Sequence, residues 1–442
     1  MRSTKTLLLV FIALLGALMG GFVFGGKLIQ KDVEYNGHSA SIAEPFVRSV
    51  GTTSAALSSP TQEAKPVQPV THITTPVPLR AAYMTSCIAS GRKLRAPLVE
   101  FMEGTELNAL VIDIKDFSGM VSIDTGDSRF VLNSRGCNVP DIQAFIASLH
   151  DKGIYVIGRV TVMQDQVYTK THPDAAVKRK SDGETWHDRK GLAFVDPGAS
   201  EYWQYMIDLG KASYAMGFDE INYDYIRFPS DGDMSNAKFT RTGSTTKAEM
   251  MKRFYIALGV GMREAKIPIS ADLFGMTTTN TDDLGIGQVL ENALMNFDYV
   301  APMVYPSHYP PYFNGWKNPN LVPYEVVKYA MTHAVSRADQ LEEKESGFVA
   351  LVSTSTSKDG KVATTTSKFV PAGIYAKKLR PWIQDFNYGK VYTETDVRAQ
   401  MKAVYDSGLD SWMMWDPKNV YTKSAYDGTT QNNINTIATT TN

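Results

Sequence analysis

Eight short apolar runs recur along this chain, and a stretch with helical periodicity separates each from the next. The runs are rich in β-branched and aromatic residues and almost continuously apolar, which is typical of strands buried on both faces of a parallel sheet. They begin at Ala81, Ala109, Tyr155, Glu220, Ile267, Tyr299, Leu379 and Ser411. Stretches such as IQAFIASLHDKG and TDVRAQMKAVYDSG lie between them. Eight such units within residues 79–425 predict a closed (β/α)8 TIM barrel rather than an open doubly wound sheet.

The sequence lacks the features that are typical of several other function classes. No GxGxxG follows the first strand and no GxxxxGK[ST] occurs, so dinucleotide and P-loop sites are not expected. The 45 basic and 46 acidic residues give a net charge of -1, which provides no footprint for a nucleic acid. Neither an HExxH nor a spaced histidine pair is present, which argues against a metal-dependent hydrolase. We therefore expect no cofactor, no metal and no nucleic-acid partner.

The amino-terminal sequence predicts that the protein is attached to a membrane. Arg2 and Lys5 precede an uncharged apolar run from Leu7 to Phe24, which is near the lower length limit of a membrane-spanning helix. No small-x-small cleavage site follows, so residues 1–26 are expected to remain as a single-pass signal anchor. The alternative is a cleaved signal and a secreted protein, and in both cases the remaining chain is extracytoplasmic. The sequence does not predict an oligomeric state.

Two segments outside the barrel have compositions typical of disorder. Residues 27–78 are rich in Ser, Thr, Ala, Pro and Val and predict an extended linker, and residues 426–442 predict a disordered tail. Within 339–373, Val/Ser/Thr alternation around KDGK predicts a β-hairpin insertion, which we expect beside the barrel mouth as a lid, a polymer contact or a flap without function. Cys87 and Cys137 would pair in an oxidising compartment only if the fold brings them together.

Polar and aromatic residues collect where the predicted strands end. In a (β/α)8 barrel these ends form one face, the mouth, and active sites are built there. The candidate binding residues at strand ends are Asp113, Lys115, Arg159, Asn222, Arg227, Tyr305, Trp382, Gln384, Trp415 and Asp416. Trp186, in the long loop after the third strand, and His308, after the sixth, are further candidates for contacting a sugar.

Three aspartates are candidates for catalysis. Hydrolysis of a glycosidic bond needs one carboxyl group that protonates the leaving oxygen and another that attacks the anomeric carbon or activates water. Asp224 and Asp272 end adjacent strands, and Asp385 ends the seventh. A purely structural ion pair of Asp224 with Arg159 or Arg227 is the competing interpretation.

Six blocks carry a resemblance to a known family: VIDIKDFSG, WHDRKGLAFVDP, GFDEINYDYIRFPSDG, ISADLFG, YVAPMVYPSHY and LRPWIQDF. On these blocks the chain resembles a largely uncharacterised bacterial family of glycoside hydrolase domains, distantly similar to amylase-type and chitinase-type barrels. The resemblance extends over about residues 80–422. It implies a barrel and hydrolysis of a polysaccharide, and it leaves the sugar open.

The fourth strand separates the two better-known types. Chitinase-type barrels carry DGxDxDxE there, but Ile226 stands at the position of the acidic Glu, so their proton donor is missing. Amylase-type barrels place an Asp nucleophile on strand four and a Glu acid on strand five, which implies Asp224 as nucleophile and Asp272 as the shorter acid. A glycan-binding barrel without catalytic activity remains the alternative to a hydrolase.

Overall fold

The computed structural model describes residues 70–356 and 362–427. Eight parallel strands close into a barrel, in which each strand pairs with its neighbours in the sequence and the last pairs with the first. The strands are β1 (Arg80–Met84), β2 (Ala109–Lys115), β3 (Tyr155–Thr161), β4 (Glu220–Asp224), β5 (Ile269–Phe274), β6 (Tyr299–Met303), β7 (Trp382–Gln384) and β8 (Trp412–Trp415). Closure is made by β8 beside β1, with Arg80 opposite Trp412. The predicted (β/α)8 barrel is confirmed.

Helices connect the strands on the outside of the barrel. In chain order they are α1 (Ser86–Ser90), α2 (Arg92–Glu103), α3 (Ile142–His150), α4 (Gln166–Thr171), α5 (Ser200–Ala215), α6 (Lys247–Glu264), α7 (Leu290–Asn296), α8 (Pro323–Ser346) and α9 (Glu394–Asp406). Among the described residues, no helix is both long and apolar enough to cross a membrane. The predicted anchor at 1–26 lies outside them, as do most of the linker and the tail from residue 428.

Strand side chains alternate between two separate cores. Tyr83, Val111 and Ile157 point into the barrel, where they form one cluster with Trp382. The residues between them pack outward against the helices in a second, larger cluster. Both strand faces are therefore buried, which explains why the strands read as continuous apolar runs rather than as alternating ones.

A disulfide bond joins Cys87 on α1 to Cys137 in the connection after β2. The sequence left this pairing open because their separation of 50 residues does not show whether the two side chains meet. The bond ties two connections together outside the barrel.

The amino-terminal ends of the strands form the base of the barrel, opposite the mouth. Residues 70–78, which the sequence assigns to the linker, lie against this base. The amide of Ile73 donates to Asp219 at 2.8 Å, and Thr75 donates to the Tyr155 hydroxyl at 3.0 Å. Residues 70–78 are therefore packed against the barrel domain rather than separate from it.

The predicted hairpin is present, but at the other end of the barrel. Its strands, Val352–Thr356 and Val362–Thr366, pair antiparallel, and α8 takes up the first residues of the predicted insertion. Because α8 starts at the mouth end of β6 and runs back, the chain between α8 and β7 must lie at the base. The prediction that this hairpin lies beside the mouth is wrong.

Candidate active site

The strand register brings the charged side chains of the mouth together. Asp113 on β2 lies opposite Arg159 on β3, and Arg159 lies opposite Asn222 on β4. Asp224 and Asp272 are each one inward-facing position further along their strands than the paired residues Asn222 and Ser270. The interior of an eight-stranded barrel is just wide enough for side chains to fill it, so these groups meet at its centre.

Arg159 is the hub of this cluster. Its guanidinium donates to Asp113 at 2.7 Å and makes a close ion pair with Asp224. The carboxylate of Asp272 lies 3.9 Å from its Nε. All four side chains are buried. Three carboxyl groups therefore share one cation, an excess of negative charge that a buried site does not hold without keeping a proton on one of them.

Asp272 is the carboxyl group whose surroundings favour that proton. It is 1% exposed, and burial, followed by the neighbouring charge of Asp224, raises its pKa well above the usual range. Its Oδ1 accepts hydrogen bonds from the Asn222 amide and the Trp382 indole, both at 2.8 Å. With Oδ1 occupied by two donors, the acidic proton belongs on Oδ2, which is the oxygen that faces Arg159.

Asp224 has a different environment at the end of β4. The residue after it, Tyr225, has a left-handed backbone with φ of 53°, which is uncommon for an aromatic residue. This turn lets the Tyr225 amide donate to Asp224 Oδ1 at 2.6 Å, while Oδ2 faces Arg159. Both oxygens of Asp224 are thus held by donors, and the strained turn fixes the direction of the carboxylate.

Aromatic rings line the β1–β8 side of the mouth. Tyr83 donates its hydroxyl to Asp113 in a short hydrogen bond and stacks on Trp415 with ring centroids 3.8 Å apart. The Trp415 ring also lies 5.1 Å from the Arg159 guanidinium and remains partly exposed. Burial, more than any neighbour, raises the pKa of Asp113. Tyr83 was absent from the predicted site, although its place near the end of the first strand was a signal for it.

On the β6–β7 side of the mouth, the side-chain amide of Gln384 connects two parts of the rim. Gln384 accepts the Ser307 hydroxyl at 2.8 Å and so ties the loop after β6 to β7. Next to it the rings of Tyr305 and Phe386 meet edge to face at 5.5 Å. Burial lowers the pKa of His308 to about 4, so this imidazole is neutral at physiological pH.

On the β4–β5 side, the Arg227 guanidinium lies over the Phe274 ring at 4.7 Å and the Tyr225 ring at 5.0 Å. No described ion pair joins it to Asp224 or Asp272. Arg227 therefore lines the side of the mouth and is not the partner of Asp224.

Asp188, in the loop after β3, was not among the predicted site residues, although its charge contributes to the raised pKa of Tyr225 at the mouth. Its Oδ1 accepts the amides of Lys190 and Leu192, both at 2.8 Å. Burial, with Asp231 nearby, raises its pKa.

Two predicted binding residues are placed away from the cluster. The strand register shifts between Asp113 and Lys115, and Lys115 forms a fully buried ion pair with Asp165 at 3.1 Å. Trp186 is 2% exposed and donates its indole N–H to the Asp233 carbonyl at 3.0 Å. Neither side chain offers a free surface to a sugar, because each is used to pack the loop after β3.

Asp385 and Asp416 also have structural partners. Asp385 accepts hydrogen bonds from the Thr422 hydroxyl and the Tyr426 hydroxyl, both at 2.7 Å, so it holds the segment after β8 rather than joining the Arg159 cluster. Asp416 accepts the Lys418 amide at 2.6 Å, and burial raises its pKa to about 6. The structure does not bring either residue into contact with Asp224 or Asp272.

Within residues 70–356 and 362–427, no group of three or more His, Cys, Asp or Glu side chains is arranged to hold a metal ion.

Comparison with solved structures supports the same barrel. The glycoside hydrolase domain of PgaB (BpsB) from Bordetella bronchiseptica aligns with a TM-score of 0.50 at 12% identity and covers 77% of this chain and 94% of its own. A hypothetical protein from Ruminiclostridium thermocellum is 28% identical over 46% of this chain and 98% of its own, with a TM-score of 0.38. An α-L-fucosidase from Paenibacillus thiaminolyticus covers 79% of this chain and 48% of its own, at 11% identity and a TM-score of 0.49. At these identities the likeness to PgaB shows the fold alone.

At the level of sequence, no protein with curated annotation matches this chain. A family described as "Putative glycosyl hydrolase domain" matches residues 81–362 and 349–421, which include every barrel strand from Ala81 onward and the whole Arg159 cluster. The chain belongs to this glycosyl hydrolase family.

Proposed function

We propose that this protein hydrolyses glycosidic bonds in an extracytoplasmic polysaccharide, with Asp224 as the nucleophilic or stabilising carboxylate and Asp272 as the proton donor. The observation that carries the proposal is the asymmetry between two carboxyl groups beside one guanidinium. Asp224 forms an ion pair with Arg159, whereas burial and Asp224 itself raise the pKa of Asp272. A carboxylate held by a guanidinium and a neighbouring carboxyl group that keeps its proton can supply the two roles that glycosidic cleavage needs.

The reaction follows from these positions. Asp272 transfers the proton on Oδ2 to the leaving glycosidic oxygen as the bond from that oxygen to the anomeric carbon breaks. Asp224 attacks this carbon or stabilises its positive charge, and water then completes the hydrolysis. Because both carboxyl groups reach the same guanidinium, their separation is compatible with the roughly 5 to 9.5 Å that retaining and inverting pairs require. The anomeric configuration of the first product distinguishes the two courses.

Other residues hold the pair in place. Asp113 and its partner Tyr83 orient Arg159 from the side opposite Asp224. Asn222 and Trp382 keep Oδ1 of Asp272 occupied and so direct the proton to Oδ2. Trp415 is the ring best placed to stack on a sugar, since it is partly exposed and close to Arg159. The predicted anchor at residues 1–26 supports a substrate in the cell envelope or outside it.

The test compares three conservative variants on isolated cell-wall and exopolysaccharide fractions. D224N and D272N are expected to lower the release of reducing sugar by roughly 10²- to 10⁴-fold. The matched control is D219N, because Asp219 is an equally buried carboxylate at the base, where it accepts the Ile73 and Val156 amides. D219N is expected to keep its activity per folded molecule. Unchanged sugar release from both D224N and D272N would refute the mechanism.

One observation favours the alternative of a glycan-binding barrel without catalysis. Asp272 is almost fully buried and its Oδ1 is already satisfied by two donors, as in a structural carboxyl group. In that case the polysaccharide fractions bind to the wild-type protein and no product appears, and W415A weakens binding while D272N does not.

A further inference from the structure

The base of the barrel carries the chain that leads to the predicted anchor. Residues 70–79 run along this face into β1, and the hairpin connection enters β7 on the same face. Since β1 and β7 both flank β8, the two connections reach the sheet only about 10 Å apart. Both connections therefore lie on the face of the barrel opposite the Arg159 cluster.

This surface holds the most exposed large apolar side chains of the described residues. The four highest exposures belong to Val77 at 83%, Val370 at 82%, Val349 at 76% and Leu351 at 74%. Val352 and Ile374 are also exposed here. These six residues are called the base patch. A soluble surface carries scattered apolar side chains, but a group this exposed at one end of a domain marks a contact with something apolar.

The base patch is held by ordered structure. The carboxylate of Glu342, which is 5% exposed, accepts the amides of Ala372 and Ile374, each at 2.7 Å. Leu351 and Ser367 exchange two hydrogen bonds across the root of the hairpin. Hydrogen bonds therefore hold the backbone next to several of these apolar side chains.

We propose that the base patch docks onto the lipid bilayer to which the amino terminus is attached. Residues 70–79 lie on this face, and the sequence that precedes them contains the uncharged run from Leu7 to Phe24. A random chain as long as residues 27–69 has an end-to-end distance on the order of 35 Å, which keeps the base near the bilayer at high effective concentration. This inference rests on the proposed anchor and is independent of the proposed hydrolysis.

Charge distribution sets the character of the contact. Around the patch, exposed Glu343 and Glu345 oppose exposed Lys344, Lys368 and Lys377, so the surface is not strongly basic. Apolar insertion rather than attraction to anionic headgroups carries the docking, and high salt leaves it in place. Docked in this way, the barrel points its mouth away from the bilayer, toward polymer outside it.

Site-directed labelling of the full chain in vesicles tests the proposal. The two native cysteines form a disulfide, so single cysteines can be introduced and labelled. V370C and L351C report on the base patch. V391C and V420C are matched controls of similar exposure, at 68% and 69%, in connections at the mouth. Each variant carries a nitroxide in phosphatidylcholine–phosphatidylglycerol vesicles, and its collisions with oxygen and with a water-soluble nickel chelate are compared.

The expected result is at least a several-fold higher oxygen-to-nickel collision ratio at positions 370 and 351 than at 391 and 420, unchanged in high salt. Equal ratios at all four positions overturn the proposal. So does protein-concentration-dependent spin broadening at 370 without lipid contact, which would assign the patch to a second copy of the chain. Loss of the protein from vesicles in carbonate overturns the anchor and the docking together. Sugar release measured on the same vesicles reports the proposed hydrolysis separately.

Discussion

The two ends of the barrel bury charged side chains in different ways. At the base, Glu220 pairs with Arg380 at 3.0 Å, and Asp219 accepts two backbone amides and contacts His150. At the mouth, Asp113, Asp224 and Asp272 surround a single guanidinium. Each base carboxylate has its own donors, whereas the mouth is short of positive charge. Balanced burial stabilises a fold, and imbalance that keeps an acid protonated is the property of a reactive site.

Removal of the cation at each end of the barrel should have the largest effect. R159M leaves Asp113 and Asp224 without their partner, and R380M does the same to Glu220, so each should lose about 3–5 kcal/mol of unfolding free energy. Urea unfolding measures this loss. Only R159M should also abolish sugar release per folded molecule, because only Arg159 contacts the proposed catalytic pair.

R159K provides a milder variant if R159M does not fold. Its single ammonium group reaches fewer of the carboxyl groups than a guanidinium does. The comparison fails if folded R159K or R159M is as active as the wild type, or if folded R380M is inactive.

Two tryptophans that the sequence predicted to contact a sugar have different surroundings. Trp186 is buried, so W186A should lower the unfolding free energy by about 3–5 kcal/mol and leave the KM of the folded enzyme unchanged. Trp415 is partly exposed beside Arg159, so W415A should raise KM about tenfold, equivalent to about 1.4 kcal/mol of binding. Initial rates at varied polysaccharide concentration distinguish the two. A larger effect of W186A on KM would place the sugar in the loop after β3.

The smallest expected effect is a pH dependence that belongs to Asp272. Because its pKa in the folded state is raised, the folded protein keeps this proton at pH values where the unfolded chain has lost it. Its contribution to stability is complete below the unfolded pKa of about 3.9 and is lost as pH rises through the folded value.

The measurement is urea unfolding of the wild type and D272N across pH. The difference in unfolding free energy between them should decrease as pH rises, and activity should fall over the same range because the proton donor is lost. Parallel stability curves would show that Asp272 ionises like an ordinary aspartate.

Many residues of the candidate site could be predicted from their positions at the ends of strands. Asp113, Arg159, Asn222, Asp224, Asp272, Trp382 and Trp415 were all predicted at the mouth, and the structure gathers them around one point. Alternation of side chains in a strand makes this possible, since a residue near a strand's carboxyl end can be placed without coordinates. Their chemical roles stay predictions.

The residues that sequence reasoning misplaced depend on features with no local signature. A register shift after Asp113 separates it from Lys115, two positions away, and nothing in VIDIKD indicates that irregularity. Asp385 has the same sequence context as the cluster acids, but Thr422 and Tyr426 approach it from the far end of the domain. Trp186 is buried by its loop, and burial in a long loop depends on tertiary packing.

The sequence by itself determined the barrel, because eight apolar runs alternating with helical stretches have few other ways to bury both strand faces. The sequence also indicated the family and the end of the barrel at which the Arg159 cluster forms. Tertiary structure alone decided that Cys87 meets Cys137, that the hairpin lies at the base, and that Arg159 is shared by three acids. The physical reason is that each of these depends on contacts between residues far apart in the chain, and local periodicity carries no information about which distant groups will meet.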